Sequence, residues 1–158
     1  MTTAYLALGS NVGERHTNLA QARERLATRH TRILRASGIY ETEPRDFIDQ
    51  DWFLNQVVEI ETSLSPEQLL AHLRSIELVL GRIPTHPNGP RVIDMDILFY
   101  GDAIVSTGSL EIPHPRLAGR RFVLEPLAEL APDLRHPRTN VTVREMLAQV
   151  HNQKVQRI

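Results

Sequence analysis

The stretch Ser65-Pro-Glu-Gln-Leu-Leu-Ala-His-Leu-Arg-Ser-Ile-Glu-Leu-Val-Leu-Gly81 carries the clearest secondary-structure signals in the chain. Ser65 is a preferred N-cap residue, Pro66 suits the first helical position, and Gln68 follows the serine at capping-box spacing. Gly81 suits a helix C-terminus. Apolar side chains recur at helical spacing between these signals, at Leu69, Leu73, Ile76 and Leu80. The pattern predicts a helix that buries one face.

Strand patterns lie on both sides of this helix. Runs of β-branched and aromatic residues predict strands at residues 4–8, 33–40, 53–62 and 92–100, and helical spacing predicts another helix near residues 19–29. The order βαββαβ is that of a ferredoxin-like α+β fold, a mainly antiparallel sheet with both helices on one face, and we expect the second face to be free for a site. Short helical patterns near residues 120–130 and 143–150 add C-terminal elements. We expect the 158 residues to form one domain, 1–158.

Composition excludes several classes of protein. The 18 basic and 19 acidic residues give a net charge of −1, and aromatic residues make up 5%, which disfavours a nucleic-acid-binding module on a ferredoxin-like sheet. The absence of cysteine excludes disulfides, thiolate nucleophiles and cysteine-based zinc sites. Lys154 is the only lysine, so a Walker A or Schiff-base lysine is not available outside the C-terminal region. With no apolar run near the ~18 residues that a membrane span needs, we expect a cytoplasmic protein without membrane association.

The strand Val92-Ile-Asp-Met-Asp-Ile-Leu-Phe-Tyr100 presents two carboxylates on one face, because alternate residues of a strand point the same way. Asp94 and Asp96 would lie about 7 Å apart, beside apolar neighbours in a strand expected to be central. Two such charges favour a cation between them, and Mg²⁺ held by carboxylates commonly binds phosphate as well. The alternative is an edge strand whose outer face is simply solvated.

Other residues suit a phosphate and a flat heterocycle. Cationic side chains flank the aspartates in the sequence, at Arg82, Arg91, His114, Arg120 and Arg121. Together with a carboxylate pair they supply the charge neutralisation that phosphoryl transfer requires. The segment 9–13 is a glycine-containing turn that could also present N–H groups to an anion. Phe53 and Asn55 share a strand face, which suits an aromatic ring with a hydrogen-bonding edge, although core packing is the commoner use of phenylalanine.

Several blocks occur in one order along the whole chain. They are Tyr5-Leu-Ala-Leu-Gly-Ser-Asn11, Gln50-Asp-Trp-Phe-Leu-Asn55, Ile76-Glu77, Gly81-Arg82, Gly89-Pro-Arg-Val-Ile-Asp-Met-Asp-Ile-Leu98, Ile112-Pro-His114 and Arg120-Arg-Phe-Val-Leu-Glu-Pro-Leu127. In these blocks and in its length the sequence resembles the 6-hydroxymethyl-7,8-dihydropterin pyrophosphokinases. The resemblance implies transfer of the β,γ-pyrophosphoryl group of ATP to a hydroxymethyl dihydropterin in folate biosynthesis, with release of AMP.

The resemblance also implies roles for individual residues. Two Mg²⁺ ions would bind Asp94 and Asp96, which with Arg82 and Arg91 form the expected catalytic group. Thr42, Phe53, Asn55 and Phe122 would bind the pterin, with the two phenylalanines on either side of the ring. The residues expected at ATP are Arg74, Glu77, Arg82, Arg91, Ile97, Ile112, His114 and Arg120. The partners would be these small molecules alone, and we expect a monomer.

The resemblance has one clear departure. Residues 83–88 read Ile-Pro-Thr-His-Pro-Asn, whereas the family usually has a basic, tryptophan-containing loop before Gly-Pro-Arg. Pro84, Pro87 and Pro90, in the loop from Arg82 to Arg91, predict restricted movement and slower chemistry than in a homologue with the basic loop. Arg74 stands where glutamine is common. A non-catalytic pterin- or nucleotide-binding paralogue is therefore the alternative, although such a binder would gain little from keeping both aspartates.

Overall fold

The computed structural model describes residues 1–43, 51–81, 92–150 and 153–158. Its strands and helices confirm the predicted βαββαβ order and add C-terminal elements. In chain order they are β1 (Thr2–Ser10), α1 (Arg15–Leu26), β2 (Thr31–Ala36), β3 (Tyr40–Thr42), β4 (Phe53–Thr62), α2 (Pro66–Val79), β5 (Asp94–Tyr100), β6 (Val105–Ser106), β7 (Glu111–Ile112), α3 (Arg121–Leu130), α4 (Val143–Ala148) and β8 (Val155–Arg157).

The main sheet has the strand order β5-β1-β4-β3-β8, with β2 also paired to β4, and every pair is antiparallel. The longest pairing in the sheet is between β1 and β4, from Thr2 opposite Thr62 to Ser10 opposite Leu54. Helix α2 begins as predicted, because the Gln68 N–H donates to Ser65 Oγ at 3.2 Å and the Ser65 N–H donates to Gln68 Oε1 at 2.9 Å. This reciprocal cap fixes the start of the helix that packs against β5.

The two faces of the sheet carry separate apolar cores. On the first face, α1 and α2 bury Leu19, Leu26, Leu69 and Leu73 against β1, β4 and β5. On the second face, the C-terminal helices α3 and α4 pack against other residues of the same strands, including Tyr5, Val57, Leu98 and Phe99. The expectation that the second face is free for a site is therefore wrong over the region that these helices cover.

Two strand predictions need correction. The predicted strand 33–40 is divided into β2 and β3, because the Val57 N–H donates to Ser37 Oγ at 3.0 Å and so pairs with a side chain at the break. The predicted central strand that carries the aspartates is instead β5, the edge strand of the sheet order.

No helix within the described ranges is both long and apolar enough to cross a bilayer.

Candidate active site

Strand register brings the aspartate strand and the predicted pterin residues to one end of the sheet. Asp94 on β5 pairs with Gly9 on β1, and Gly9 in turn pairs with Asn55 on β4. Asn55 pairs with Tyr40 on β3, so one row of paired residues crosses four strands. With about 4.8 Å between neighbouring strands, the backbones of Asp94 and Asn55 lie roughly 10 Å apart. Residues far apart in the sequence therefore share one short region.

Gly9 shapes the middle of this row. It lies within β1, which runs to Ser10, so the predicted turn begins later than residue 9. A Cβ on Gly9 would lie 3.0 Å from Asn55 Oδ1 and 3.7 Å from Phe53 Cδ1. The missing side chain thus leaves the Asn55 amide and the Phe53 ring close against the β1 backbone. The sequence predicts Gly9 as part of a turn, and its alternation with Ala7 and Tyr5 in β1 is the signal that could have placed it in the strand.

Asn55 and Thr42 form the polar part of the site. The Asn55 Nδ2–H donates to Thr42 Oγ1 at 2.8 Å, and both side chains are buried. Thr42 pairs with Phe53 across β3 and β4, which places the half-buried phenylalanine in the next position. The bond orients the Asn55 amide, which also has a second N–H and an acceptor oxygen for a ligand edge. Three of the four predicted pterin residues therefore form one cluster.

The carboxylates of Asp94 and Asp96 lie on the second face of the sheet, since Asp96 pairs with Ala7, which contacts the α3 and α4 core. Met95, between them, is fully buried toward the first face. Burial first and the negative charge of Asp94 second raise the pKa of Asp96 to about 6, although Arg74 and Arg120 oppose the shift. The strand is an edge strand, as the solvated-edge alternative supposed, but Asp96 on it is half-buried, with 30% of its side chain exposed.

Helix α2 holds the backbone between the two aspartates. Glu77, which is buried, accepts a hydrogen bond from the Met95 N–H at 2.8 Å. Arg74 Nη1 donates to the Met95 carbonyl at 2.8 Å and to Glu77 Oε1 at 2.9 Å, while its Nη2 lies 3.8 Å from Asp96 Oδ1. These side chains satisfy the outer edge of β5 as a neighbouring strand would. Arg74 and Glu77, predicted as ATP residues, therefore also fix the strand that carries the aspartates.

His114 lies beside the aspartate strand as a neutral side chain. Its backbone N–H donates to the Leu98 carbonyl at 3.1 Å, and its Nδ1 accepts from the Arg116 N–H at 3.2 Å. Burial, with the positive charges of Arg120 and Arg116, lowers the pKa of His114 to about 4, while Asp94 acts in the opposite sense. His114 is predicted from the sequence as one of the cationic groups, whereas this environment makes it a neutral hydrogen-bonding group.

The start of α3 carries Arg120, Arg121 and Phe122. Arg120 is the N-cap residue, and its guanidinium carbon lies 5.5 Å from the centre of the Phe122 ring. Arg121 is held elsewhere, because it donates to Glu125 Oε1 and to the Gln153 carbonyl.

Ile97 and Ile112 are buried in the first core, so any contact they make with a nucleotide would come from their backbones.

Part of the predicted site lies outside the described residues. Arg82 and Arg91 fall there, and so does the loop between them, whose restricted movement the prolines predict. Within the parts of the chain that the structure describes, no group of three or more His, Asp or Glu side chains could hold a metal ion. The Asp94 and Asp96 pair supplies only oxygen ligands, which fits a hard cation that takes its other ligands from phosphate and water.

Comparison with known proteins identifies the family. The model of the 7,8-dihydro-6-hydroxymethylpterin-pyrophosphokinase (HPPK) family matches residues 5–132. A 2-amino-4-hydroxy-6-hydroxymethyldihydropteridine pyrophosphokinase from Methylorubrum extorquens is 48% identical over 159 residues, covering 100% of this chain and 99% of the relative. The similarly named Bacillus subtilis protein is 42% identical over 153 residues, covering 96% of this chain and 91% of its own length.

Longer proteins contain a similar region. The folic acid synthesis protein fol1 of Pneumocystis carinii is 45% identical over 139 residues, which are 88% of this chain and only 19% of that protein. A crystal structure of Plasmodium falciparum HPPK-DHPS with pteroate superimposes with a TM-score of 0.76 at 17% identity, covering 94% of this chain and 42% of that one. This likeness supports the ferredoxin-like fold alone. From the family-model match and the two relatives that align over nearly their full length, the chain belongs to the 7,8-dihydro-6-hydroxymethylpterin-pyrophosphokinase family.

Proposed function

We propose that this chain transfers the β,γ-pyrophosphoryl group of ATP to the hydroxymethyl group of 6-hydroxymethyl-7,8-dihydropterin, giving the pterin diphosphate and AMP. The observation that carries the proposal is the paired row in which Asp94 lies two strands from Asn55. A site for a metal-bound polyphosphate and a site for a flat, hydrogen-bonding ring are thereby neighbours. Such proximity is what a direct transfer between two bound substrates requires.

In the proposed reaction, the hydroxymethyl oxygen attacks the β-phosphorus of ATP. The bond from that phosphorus to the oxygen bridging the α- and β-phosphates breaks, AMP leaves with that oxygen, and the hydroxyl proton is released. Mg²⁺, for which the oxygen-only donors Asp94 and Asp96 are suited, would neutralise phosphate charge when bound. The remaining work of the protein is to position the two substrates and exclude water.

The pterin residues have distinct tasks in this proposal. Phe53 and Phe122 stack on the two faces of the ring, and Asn55 with the backbone at Thr42 meets its polar edge. The bond from Asn55 to Thr42 sets the amide orientation before the substrate binds, so little side-chain ordering remains to be done.

A different group of residues binds ATP in this proposal. Arg120 faces the phosphates from the start of α3, and neutral His114 donates a hydrogen bond there. Arg74 and Glu77 fix β5 and contact the nucleotide, and Ile97 and Ile112 contribute backbone groups. Arg82 and Arg91 stay predictions, as additional cations at the triphosphate.

The decisive experiment measures AMP formation from ATP with and without 6-hydroxymethyl-7,8-dihydropterin, in Mg²⁺ and in excess EDTA. We expect AMP only when the pterin and Mg²⁺ are both present, together with an equal amount of pterin diphosphate. Binding of both ligands without AMP would overturn the proposal in favour of a non-catalytic binder. AMP formation that is independent of the pterin would overturn the proposed acceptor.

A further inference from the structure

The C-terminal segment, residues 153–157, contacts two elements that carry the proposed pterin residues. At one end it meets the start of α3, which presents Phe122. At the other end it forms β8, the strand next to β3, which presents Thr42. The sequence predicts no strand or helix in this segment, because the three residues of β8 are too few to show a strand pattern.

Gln153 caps the helix that carries Phe122. Its Oε1 accepts from the N–H of Arg121, the first residue of α3, at 3.0 Å, and its Nε2 donates to the Gly119 carbonyl at 2.8 Å. The first N–H groups of a helix lack intrahelical partners. The Arg120 carbonyl accepts from the Val123 N–H at 3.0 Å, but the side chain of this N-cap residue cannot accept from the Arg121 N–H, because a guanidinium only donates hydrogen bonds. A distant glutamine therefore does what a local serine or aspartate usually does at a helix start.

The other end of the segment is fixed to β3. Val155 pairs with Thr42, and Arg157 pairs with Tyr40. Arg157 Nε lies 3.3 Å from Glu129 Oε1, and the same carboxylate accepts from the Tyr40 hydroxyl at 2.8 Å. The Arg157 guanidinium also lies over Gly38, where a Cβ would come within 2.5 Å of Nε. These contacts set the register of β8 on β3.

Only two residue steps separate the two attachments. The Cα atoms of Gln153 and Val155 can be at most about 7 Å apart. The segment therefore links the start of α3 to Thr42 on β3 over a short distance. We infer that Gln153 is a positioning residue for the pterin site, setting the separation between the Phe122 helix and the Thr42 strand. This inference rests on the proposed function, since it concerns how the proposed pterin site is assembled.

The test uses the full chain with Gln153→Ala and measures the dissociation constants of 6-hydroxymethyl-7,8-dihydropterin and of a non-hydrolysable ATP analogue separately. We expect pterin binding to weaken at least fivefold and analogue binding to change less than twofold. Gln153→Glu keeps the acceptor for the Arg121 N–H and loses the donor to Gly119, so it should weaken pterin binding by an intermediate factor. It also provides a readout if the alanine variant does not fold.

The matched control is Gln68→Ala, which removes another glutamine side chain from a helix start, at Ser65. It should lower the melting temperature without changing pterin affinity. Gln153 variants that melt earlier but bind the pterin as the wild type does, or that lose both ligands equally, would overturn the inference. Failure of the proposed function looks different, because then the wild type itself would not bind the pterin or form AMP.

Discussion

Two carboxylates on the second face of the sheet have opposite electrostatic surroundings. Glu59 on β4 forms a bidentate pair with Arg35, with Nε to Oε1 and Nη2 to Oε2 both at 3.0 Å, and it accepts from the Tyr5 hydroxyl. Asp96 has a second carboxylate, Asp94, as its neighbour in the strand face, and the nearest Arg74 nitrogen is 3.8 Å away. Hydrogen bonding to Arg35 lowers the pKa of Glu59, whereas burial and Asp94 raise that of Asp96 to about 6.

The difference separates a structural carboxylate from a candidate functional one. The Glu59 contacts neutralise the charge within the protein, and burial with the Glu59 bond raises the pKa of Tyr5 to about 12, so the cluster stays fixed near neutral pH. Asp94 and Asp96 repel each other, but the hydrogen bonds of Arg74 and Glu77 to the Met95 backbone hold the strand between them in place. A repulsion that the fold maintains favours a cationic ligand at the aspartates.

The largest expected effect comes from exchanging each carboxylate for its amide. Asp96→Asn should reduce the rate of AMP formation by roughly three powers of ten, about 4 kcal/mol of barrier, because a proposed metal ligand is lost. Glu59→Gln should leave that rate within about threefold, since Glu59 lies in the structural cluster. Steady-state assays of both variants in saturating substrate decide it. An Asp96→Asn enzyme that keeps a tenth of the wild-type rate would contradict the metal assignment.

Stability should respond in the reverse order. Glu59→Gln should lower the free energy of unfolding by about 1–2 kcal/mol, because Arg35 and Tyr5 lose a charged partner, with the exposure of Arg35 limiting the cost. Asp96→Asn should leave stability unchanged or raise it in the absence of divalent cations, since a repulsive charge is removed. Urea unfolding in EDTA measures both. Equal losses in the two variants would mean that the contrast between the sites has no energetic consequence.

The sequence predicted more of the acidic site than of the structural cluster. Alternation in residues 92–100 placed Asp94 and Asp96 on one face, because a strand has a fixed period of two. The partners of Glu59 come from β1 and β2, and only the strand register determines that Tyr5 and Arg35 both lie opposite it. Local pattern fixes which way a side chain points, whereas long-range pairing fixes what it meets.

The same distinction explains the remaining errors. The capping box and apolar spacing predicted α2 because those signals are local. The edge position of β5 depends on the whole strand order, and the coverage of the second face depends on where α3 and α4 dock. The role of Gln153 depends on an interaction with a residue 32 positions earlier, which no local motif reveals.

The pH dependence of stability should have opposite signs at the two sites. The folded state binds the Asp96 proton more tightly than the unfolded chain, so wild type should lose stability relative to Asp96→Asn as pH rises from 3.8 to about 6. The folded pKa of Glu59 is below 4.5, so the Glu59 contribution is present above that pH and is lost as the pH falls through the folded pKa. Melting temperatures of wild type and both amide variants between pH 3 and pH 8 in EDTA test this. Parallel curves for all three proteins would contradict both assignments.

The smallest expected effect concerns Arg74, whose positive charge partly offsets the negative charge of Asp96. Its side chain is 42% exposed, so solvent screens much of its charge, and we expect its repulsion of a bound cation to be on the order of 0.5–1 kcal/mol. Arg74→Gln should therefore strengthen Mg²⁺ binding to the nucleotide-free protein two- to fivefold, because glutamine can still donate to the Met95 carbonyl without carrying charge. Arg74→Lys is the matched control, since it keeps the charge and should bind Mg²⁺ as the wild type does. Titration calorimetry at two salt concentrations measures both variants, and the gain should shrink at the higher one. Weaker Mg²⁺ binding in Arg74→Gln would instead mean that the hold of Arg74 on Met95 matters more to the aspartate pair than its charge does.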